Sequence, residues 1–283
     1  MMVLWKNAIS RLLRLNRYYN PVAKCSSMVQ EQKIVIGGQT INYVKVGHGS
    51  KTIFCLSGVM GSIWRDFKPQ IDGFDRNKFT VVVWDPPGYG RSRPPLKKFT
   101  PKFYENDAEC AHQFMKELGI SKYSLVGWSD GGVTSIIHAA NYPEKVEKLI
   151  VWGSGTFIIP EEIESIELMR DLKRWSHKMK EPLLQFYTEE ELQLMLNEWR
   201  DTLAEILQNG GNICKDRLGD LKCPTLILHG DKDPALDPIH PGFMIENIKN
   251  AKLHRFPEGK HTIHLKYSEE FNKLVTDFIL EKE

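Results

Sequence analysis

The feature that most constrains the fold is a series of short, mostly apolar runs that alternate with helical patterns. The runs lack the apolar–polar alternation of a half-exposed strand and are typical of strands buried on both faces of a parallel sheet. This order of elements predicts an α/β fold. The runs are Thr52 to Leu56, Phe79 to Trp84, Tyr123 to Gly127, Lys148 to Gly153, Thr225 to His229 and Leu253 to Phe256. The helical patterns include Tyr104 to Leu118, Val133 to Asn141, Pro241 to Ile248 and Ser268 to Ile279.

A hairpin is predicted ahead of these runs. Lys33 to Ile36 and Ile41 to Val46 are rich in β-formers, and the segment between them begins Gly37-Gly38. Such a pattern favours two antiparallel strands joined by a tight turn. Together with the apolar runs, the hairpin predicts a mostly parallel, eight-stranded sheet flanked by helices.

The alternation breaks once, between Gly153 and Leu221. This stretch contains helix-forming, charged segments, including Ile163 to Lys178 and Glu189 to Gln208. A structureless loop of that length is uncommon in a compact domain, so we expect a helical insertion. It should form a lid over the carboxyl edge of the sheet, where open α/β sheets bind ligands. The predicted division is a core of residues 31–153 and 221–283 with a lid of residues 154–220.

Residues 1–30 differ in composition from the rest of the chain. Basic residues, among them Arg11, Arg14 and Arg17, occur there with no Asp or Glu before Glu31, and apolar residues fall among them at approximately helical spacing. This profile predicts a mitochondrial transit peptide, although a disordered basic tail is an alternative. Arg11 and Arg14 interrupt the apolar stretch that a secretory signal needs.

Charge and cysteine content exclude several classes of protein. The formal net charge is only +2, and basic and acidic residues are interleaved after residue 30, so nucleic acid is not an expected partner. No apolar run is long enough to span a membrane as a helix. The five cysteines lack metal-ligand spacing and suggest free thiols in a reducing compartment. These features favour a small-molecule substrate and no nucleic-acid or membrane partner. We also expect a monomer.

The strongest chemical signal is Gly127-Trp128-Ser129-Asp130-Gly131, which follows an apolar strand and precedes a helical pattern. A G-x-S-x-G sequence in this context is a nucleophile elbow, in which a strained turn exposes the serine at the sheet edge. The flanking glycines avoid collisions with neighbouring backbone. Ser129 is therefore the predicted nucleophile.

The serine needs a base, and the base needs an orienting carboxylate. Two acids, Asp231 and Asp233, follow the strand Thr225 to His229, and we favour Asp233 for its G-x-x-D spacing. Two histidines, His261 and His264, follow the last strand. His261 is favoured because it comes after a glycine at the loop bend, whereas His264 begins a helical stretch.

An oxyanion needs backbone N–H donors, one of them from the residue after the nucleophile, here Asp130. The loop after the strand Thr52 to Leu56 should supply the second, from either Val59 or Met60. Many hydrolases with a nucleophile elbow carry His-Gly in this loop, whereas Ser57 stands in place of the His here. The donor belongs to the main chain, so this difference should not abolish the oxyanion hole.

Asp130 has two interpretations. As a carboxylate at a helix start, it would gain about 0.3–1 kcal/mol from the helix dipole and have no further role. Beside the nucleophile, it could instead pair with the α-ammonium group of an amino-acid ester. The second interpretation makes Asp130 a substrate-binding residue as well as a backbone donor.

With these motifs identified, the sequence resembles the biphenyl hydrolase-like (valacyclovir hydrolase) family of the α/β-hydrolase superfamily. The resemblance implies an α/β-hydrolase fold and a mitochondrial serine hydrolase that cleaves α-amino-acid esters, including aminoacyl nucleoside prodrugs, without a metal or organic cofactor. It also implies a triad of Ser129, Asp233 and His261, with Asp130 receiving the substrate amine. The matching stretches are Gly58 to Ser62, Val83 to Pro86, Gly88 to Gly90, Ser92 to Pro95, Gly127 to Gly132, Gly211 to Cys214, His229 to Pro234 and Pro257 to His261.

Two alternatives remain. A carbon–carbon bond hydrolase of ring-cleavage products uses a similar triad, but its anionic substrates would be repelled by Asp130. A non-catalytic binding protein of the same fold is disfavoured because all three triad positions are filled.

Overall fold

The computed structural model describes residues 29–281. Within this range one sheet holds eight strands in the spatial order β1-β2-β4-β3-β5-β6-β7-β8. The strand β2 pairs antiparallel with β1 and β4, and the remaining pairs are parallel, which confirms the predicted sheet. The strands are β1 (Gln32–Ile36), β2 (Gln39–Val46), β3 (Lys51–Leu56), β4 (Phe79–Trp84), β5 (Tyr123–Trp128), β6 (Val146–Trp152), β7 (Thr225–Gly230) and β8 (Ala251–Phe256).

Helices cover both faces of the sheet and explain why its inner strands are apolar throughout. In β3, Phe54 and Leu56 belong to one hydrophobic cluster, while Ile53 and Cys55 belong to the cluster on the opposite face. All four side chains are essentially inaccessible to solvent. The first cluster packs against α2 (Phe103–Glu117), α3 (Asp130–Asn141) and α7 (Ile239–Asn247), and the second against α1 (Ile63–Gly73), α8 (Ile263–Lys266) and α9 (Ser268–Leu280).

The helix α1 was not among the helical patterns identified in the sequence. Pro69 lies inside it, and the polar residues Asp66 and Gln70 lie on its buried side. Gln70 donates to the backbone oxygen of His264 at 2.8 Å, and this hydrogen bond offsets the cost of burying the amide. The buried apolar residues Ile63, Phe67 and Ile71 nevertheless recur every four residues, so the apolar spacing of this segment does indicate a helix.

The insertion between β6 and β7 is helical, with α4 (Pro160–Met169), α5 (His177–Leu184) and α6 (Glu189–Gln208). A β-bridge between Phe157 and Asn212 joins its two ends. Within the helix-forming segment Ile163 to Lys178, the chain leaves α4 and forms a 3₁₀ turn at Leu172–Arg174 before α5. The Asp171 side chain accepts from the amide of Lys173 at 3.0 Å and stabilises this turn.

The helix α6 brings the lid against the core. A capping box starts it, since the Thr188 hydroxyl accepts from the Glu191 amide at 3.1 Å and Glu191 accepts from the Thr188 amide at 2.9 Å. One face is apolar and buried, and it includes Leu196, Trp199 and Leu203. Burying this face against the core fixes the position of the lid helix.

Cys55, Cys214 and Cys223 are buried free thiols, and Cys110 is partly buried. Burial raises the pKa of Cys55 and of the other three, so they are not activated nucleophiles. Cys25 lies outside the described residues. No helix in residues 29–281 is both long and apolar enough to cross a membrane.

Candidate active site

Ser129 occupies a strained turn between β5 and α3. Its backbone has φ +54° and ψ −125°, a conformation that non-glycine residues rarely adopt. A Cβ at Gly127 would lie 2.6 Å from the Gly131 oxygen, and a Cβ at Gly131 would lie 2.2 Å from the Leu56 oxygen. Both positions therefore require glycine. The structure places Ser129 at the sheet edge, as the sequence motif predicts.

His261 and Asp233 lie in the loops after β8 and β7. His261 Nδ1 is 2.9 Å from Asp233 Oδ2, and the second oxygen of this buried carboxylate accepts from the Ala235 amide at 2.8 Å. His261 and Ser129 line the same cavity. The two contacts of Asp233 fix the carboxylate and orient the imidazole, which are the functions of the acid in a serine triad.

Trp128, which lies between Gly127 and the nucleophile, also positions His261. Its indole N–H donates to the His261 backbone oxygen at 3.0 Å, and the two rings are 5.3 Å apart. The elbow and the histidine loop are thus tied together by one side chain. Nothing in the sequence motif indicates this role.

The rejected alternatives have structural partners of their own. Asp231 forms an ion pair with Arg255 at 2.7 Å in a partly exposed position. His264 is fully buried, and its Nδ1 accepts from the Trp152 indole at 3.0 Å. Burial lowers the pKa of His264 to about 3, so it stays neutral at physiological pH. His229 is buried at the end of β7 as a core residue, but neither of its ring nitrogens has a hydrogen-bond partner in the described part of the chain.

The loop carrying Val59 and Met60 forms a tight turn against the nucleophile. The Gly61 amide donates to the Gly58 oxygen at 3.0 Å, and Met60 has a positive φ of 52°. A Cβ at Gly58 would lie 3.0 Å from Ser129 Cβ. This turn and the Asp130 amide at the start of α3 are therefore both adjacent to Ser129.

The Asp130 side chain is held by two neutral donors. The Tyr104 hydroxyl donates to Oδ1 at 3.0 Å, and the Trp199 indole donates to Oδ2 at 3.1 Å. Burial raises the pKa of Asp130 to about 6, although the two hydrogen bonds act in the opposite direction. No Lys, Arg or His in residues 29–281 forms an ion pair with this carboxylate. Asp130 is thus a partly buried acid, next to the nucleophile, without a cationic partner among these residues.

A cavity of about 1740 Å³ connects these residues. The core contributes Ser129, Asp130 and His261, and the lid contributes mainly apolar side chains such as Ile166, Met169, Leu196 and Leu203. This volume exceeds the 300–1,000 Å³ usual for small-molecule sites. No group of three or more His, Cys, Asp or Glu side chains suited to a metal ion occurs in the part of the chain that the structure describes.

Tyr104 and Trp199 were not predicted as site residues. Trp199 lies within the helix-forming segment Glu189 to Gln208 of the insertion, and Tyr104 begins the helical pattern Tyr104 to Leu118, but neither position belongs to a catalytic motif. Their contacts with Asp130 join residues 26 and 69 positions apart in the chain. Only the packing of α2 and α6 around the elbow brings them together.

The strained serine, the His–Asp pair and the parallel sheet define a serine hydrolase of the α/β-hydrolase fold. The family described as "alpha/beta hydrolase fold" matches residues 51–184. "Serine hydrolase BPHL" of Mus musculus is 40% identical over 260 residues, which cover 92% of this chain and 89% of that protein. The Homo sapiens protein of the same name is 39% identical over the same shares. The chain belongs to this biphenyl hydrolase-like family of serine hydrolases.

More distant relatives share the fold. A "2-hydroxy-6-oxononadienedioate/2-hydroxy-6-oxononatrienedioate hydrolase" of Paraburkholderia phymatum is 29% identical, covering 84% of this chain and 90% of that protein. Among solved structures, a meta-cleavage product hydrolase (CumD) of Pseudomonas fluorescens superimposes with a TM-score of 0.72 at 21% identity, covering 87% of this chain and 96% of its own. The structural match shows the fold alone.

Proposed function

We propose that this serine hydrolase cleaves α-amino-acid esters, including aminoacyl nucleoside esters, through an acyl-enzyme. The observation that carries the proposal is the Asp130 carboxylate, which is adjacent to Ser129, partly buried and, within residues 29–281, bonded only to neutral donors. A buried carboxylate is costly unless a cation pairs with it. The α-ammonium of an amino-acid ester would supply that cation while its carbonyl carbon faces the serine.

The reaction then uses the geometry described above. His261 removes the proton of Ser129 as the hydroxyl attacks the ester carbonyl, and Asp233 stabilises the imidazolium that forms. The oxyanion binds to the amide of Asp130 and to an amide of the Val59–Met60 turn. His261 returns the proton to the leaving alcohol. Water then attacks the acyl-enzyme by the same steps and releases the amino acid.

The electrostatics of His261 determine the pH dependence. Burial alone lowers the pKa of His261, but the negative charges of Asp233 and Asp130 and the hydrogen bond to Asp233 raise it above its ordinary value. The base must be neutral to accept a proton, so kcat/KM should rise with pH through a value above 6.5. Asp130 must be ionised to bind an ammonium. For amino esters, kcat/KM should therefore also depend on the ionisation of Asp130, whose pKa is about 6.

The competing function is hydrolysis of carbon–carbon bonds, as in the bacterial relatives named for oxononadienedioate substrates. A dienedioate carries carboxylates, which the uncompensated charge of Asp130 would repel. The same carboxylate attracts an ammonium group. The sign of the charge beside the nucleophile therefore favours amino esters.

The test is the ratio of kcat/KM for an α-amino ester to that for its des-amino analogue, in wild type and in Asp130→Asn. Losing a close buried charge pair costs roughly 2–5 kcal/mol. At about 1.4 kcal/mol per tenfold, the ratio should fall roughly 30-fold to a few thousandfold. The backbone amide remains, so the des-amino ester should be hydrolysed about as before. Asp130→Ala is expected to behave in the same way.

Two results would contradict the proposal. An unchanged ratio in Asp130→Asn would leave the carboxylate as a helix-start residue without a role in recognition. Faster hydrolysis of a dienoate ring-cleavage product than of an amino ester would assign the protein to the carbon–carbon bond hydrolases.

We further propose a mitochondrial address in residues 1–30, of which residues 1–28 lie outside the described range. The basic, acid-free composition of this segment supports the proposal. We also propose that the enzyme works as a monomer on small molecules, with no metal or organic cofactor and no nucleic acid or membrane partner. The mechanism above requires only side chains, backbone amides and water.

A further inference from the structure

Two buried acids near the site have a basic side chain beside them, whereas Asp130 pairs with none within residues 29–281. Asp107 pairs with Lys97, whose side chain is also buried, and Asp66 lies 3.8 Å from Arg65. Asp130 has instead one neutral donor on each oxygen, the Tyr104 hydroxyl from α2 in the core and the Trp199 indole from α6 in the lid. The carboxylate is therefore held between core and lid by two donors that carry no positive charge.

We propose that Tyr104 and Trp199 are positioning residues that keep Asp130 ionised and aimed at the substrate ammonium. This inference rests on the proposed function, and it assigns the selectivity for amino esters to two residues beyond the nucleophile elbow. One of them belongs to the lid, so recognition of the ammonium group depends on the lid helix lying against the core.

The chemistry of the donors supports this role. A Lys or Arg bonded to Asp130 would cancel its charge and repel a substrate ammonium, whereas a carboxylate without donors would take up a proton in a buried site. O–H and N–H donors stabilise the ionised form without adding net charge. Burial raises the pKa of Tyr104 well above its ordinary value, so its hydroxyl remains protonated and can donate. An indole N–H can only donate.

Other charged and titratable groups also act on Asp130. Lys97 favours its ionised form and Asp107 opposes it, but these two side chains pair with each other. Tyr89 and His261 are the other nearby titratable groups, and burial keeps the Tyr89 hydroxyl protonated by raising its pKa. Among the residues that the structure describes, Tyr104 and Trp199 are the two side chains that hydrogen-bond to the carboxylate, and their removal should have the largest effect on its ionisation.

The experiment measures the ratio of kcat/KM for an α-amino ester and its des-amino analogue from pH 5 to pH 8.5 in Tyr104→Phe and Trp199→Phe. Loss of one hydrogen bond to the ionised form should raise the pKa of Asp130 by about one unit. Because the pKa of Asp130 in the wild type is about 6, the ratio in each variant should be about fivefold below the wild-type ratio at pH 6 and nearly equal to it at pH 8. Ionisation of His261 affects both substrates and cancels in the ratio.

Tyr43→Phe is the matched control. It removes a hydroxyl that donates to Gln32 at 2.9 Å, far from Asp130 on the edge hairpin, and should leave the ratio and its pH dependence unchanged. A ¹³C NMR titration of the Asp130 carboxyl, assigned with Asp130→Asn, provides a readout that needs no substrate. The carboxyl should titrate about one unit higher in Tyr104→Phe.

The outcomes separate this inference from the proposed function. If Asp130→Asn lowers the ratio while Tyr104→Phe and Trp199→Phe leave its pH dependence unchanged, the two hydrogen bonds to Asp130 have no positioning role. Equal losses on both substrates at every pH would also overturn it, because they indicate structural damage rather than a change of charge. If Asp130→Asn leaves the ratio unchanged, the proposed function itself fails, whereas the NMR titration still tests whether the two donors control Asp130. Should Trp199→Phe fold poorly, Tyr104→Phe alone decides.

Discussion

Replacing Asp233 by asparagine tests whether this residue orients His261. In the structure the Ala235 amide donates to Asp233 Oδ1 at 2.8 Å, and Oδ2 faces His261 Nδ1 at 2.9 Å. The Ala235 amide would hold the oxygen of an asparagine, so the NH₂ group would face His261 Nδ1. Nδ1 would then have to accept a hydrogen bond, which places the ring proton on Nε2. In that tautomer His261 cannot take the proton of Ser129.

The expected loss is large. A wrong tautomer in a serine triad of otherwise intact geometry costs about 10⁴-fold in kcat, which is about 5.4 kcal/mol at 1.36 kcal/mol per tenfold. Steady-state hydrolysis of an uncharged ester measures this loss without involving ammonium recognition. The pKa of His261 is raised partly by the charge of Asp233, so the remaining activity should have an acid limb at lower pH than in wild type.

Asp231→Asn is the matched control. Asp231 pairs with Arg255 near the surface, and such a pair contributes about 1 kcal/mol or less to stability. Its loss should leave kcat near the wild-type value. A severe defect in Asp231→Asn together with a mild one in Asp233→Asn would refute the assignment of the acid and the tautomer argument built on it.

Three further predictions concern other parts of the chain. Ser129→Ala should abolish labelling by a fluorophosphonate probe and reduce turnover to the residual catalysis of about 10³–10⁴ over water; normal turnover would disprove the mechanism. His261→Ala should remove the acid limb of kcat/KM, whereas His264→Ala should lower the free energy of unfolding by about 2–5 kcal/mol in a denaturant titration, because it empties a buried site; the reverse pattern would exchange the two roles. A reporter fused to residues 1–30 should enter mitochondria, and a purely cytosolic reporter would contradict the transit-peptide prediction.

The sequence determined the sheet and the position of the nucleophile because both depend on local pattern. A strand buried on two faces must be apolar at successive positions. The residues Ile53 to Leu56 show this, because all four are buried and they alternate between the hydrophobic clusters on the two faces of the sheet. The elbow requires glycine wherever a Cβ would collide with backbone, so the sequence shows glycines at fixed spacing around Ser129. The helix α1 was missed although Ile63, Phe67 and Ile71 recur at helical spacing, and the buried Gln70 beside them is satisfied by a tertiary hydrogen bond to the His264 oxygen.

Tertiary structure alone decided how the carboxylates and histidines are used. Asp231 and Asp233 are two residues apart in similar sequence, yet one meets Arg255 at the surface and the other meets His261 in the interior. The partners of Asp130 come from α2 and from the lid helix α6, and no local pattern connects them. A carboxylate acquires its pKa and its specificity from whatever the fold packs against it, so the sequence could point to Asp130 but could not describe its surroundings.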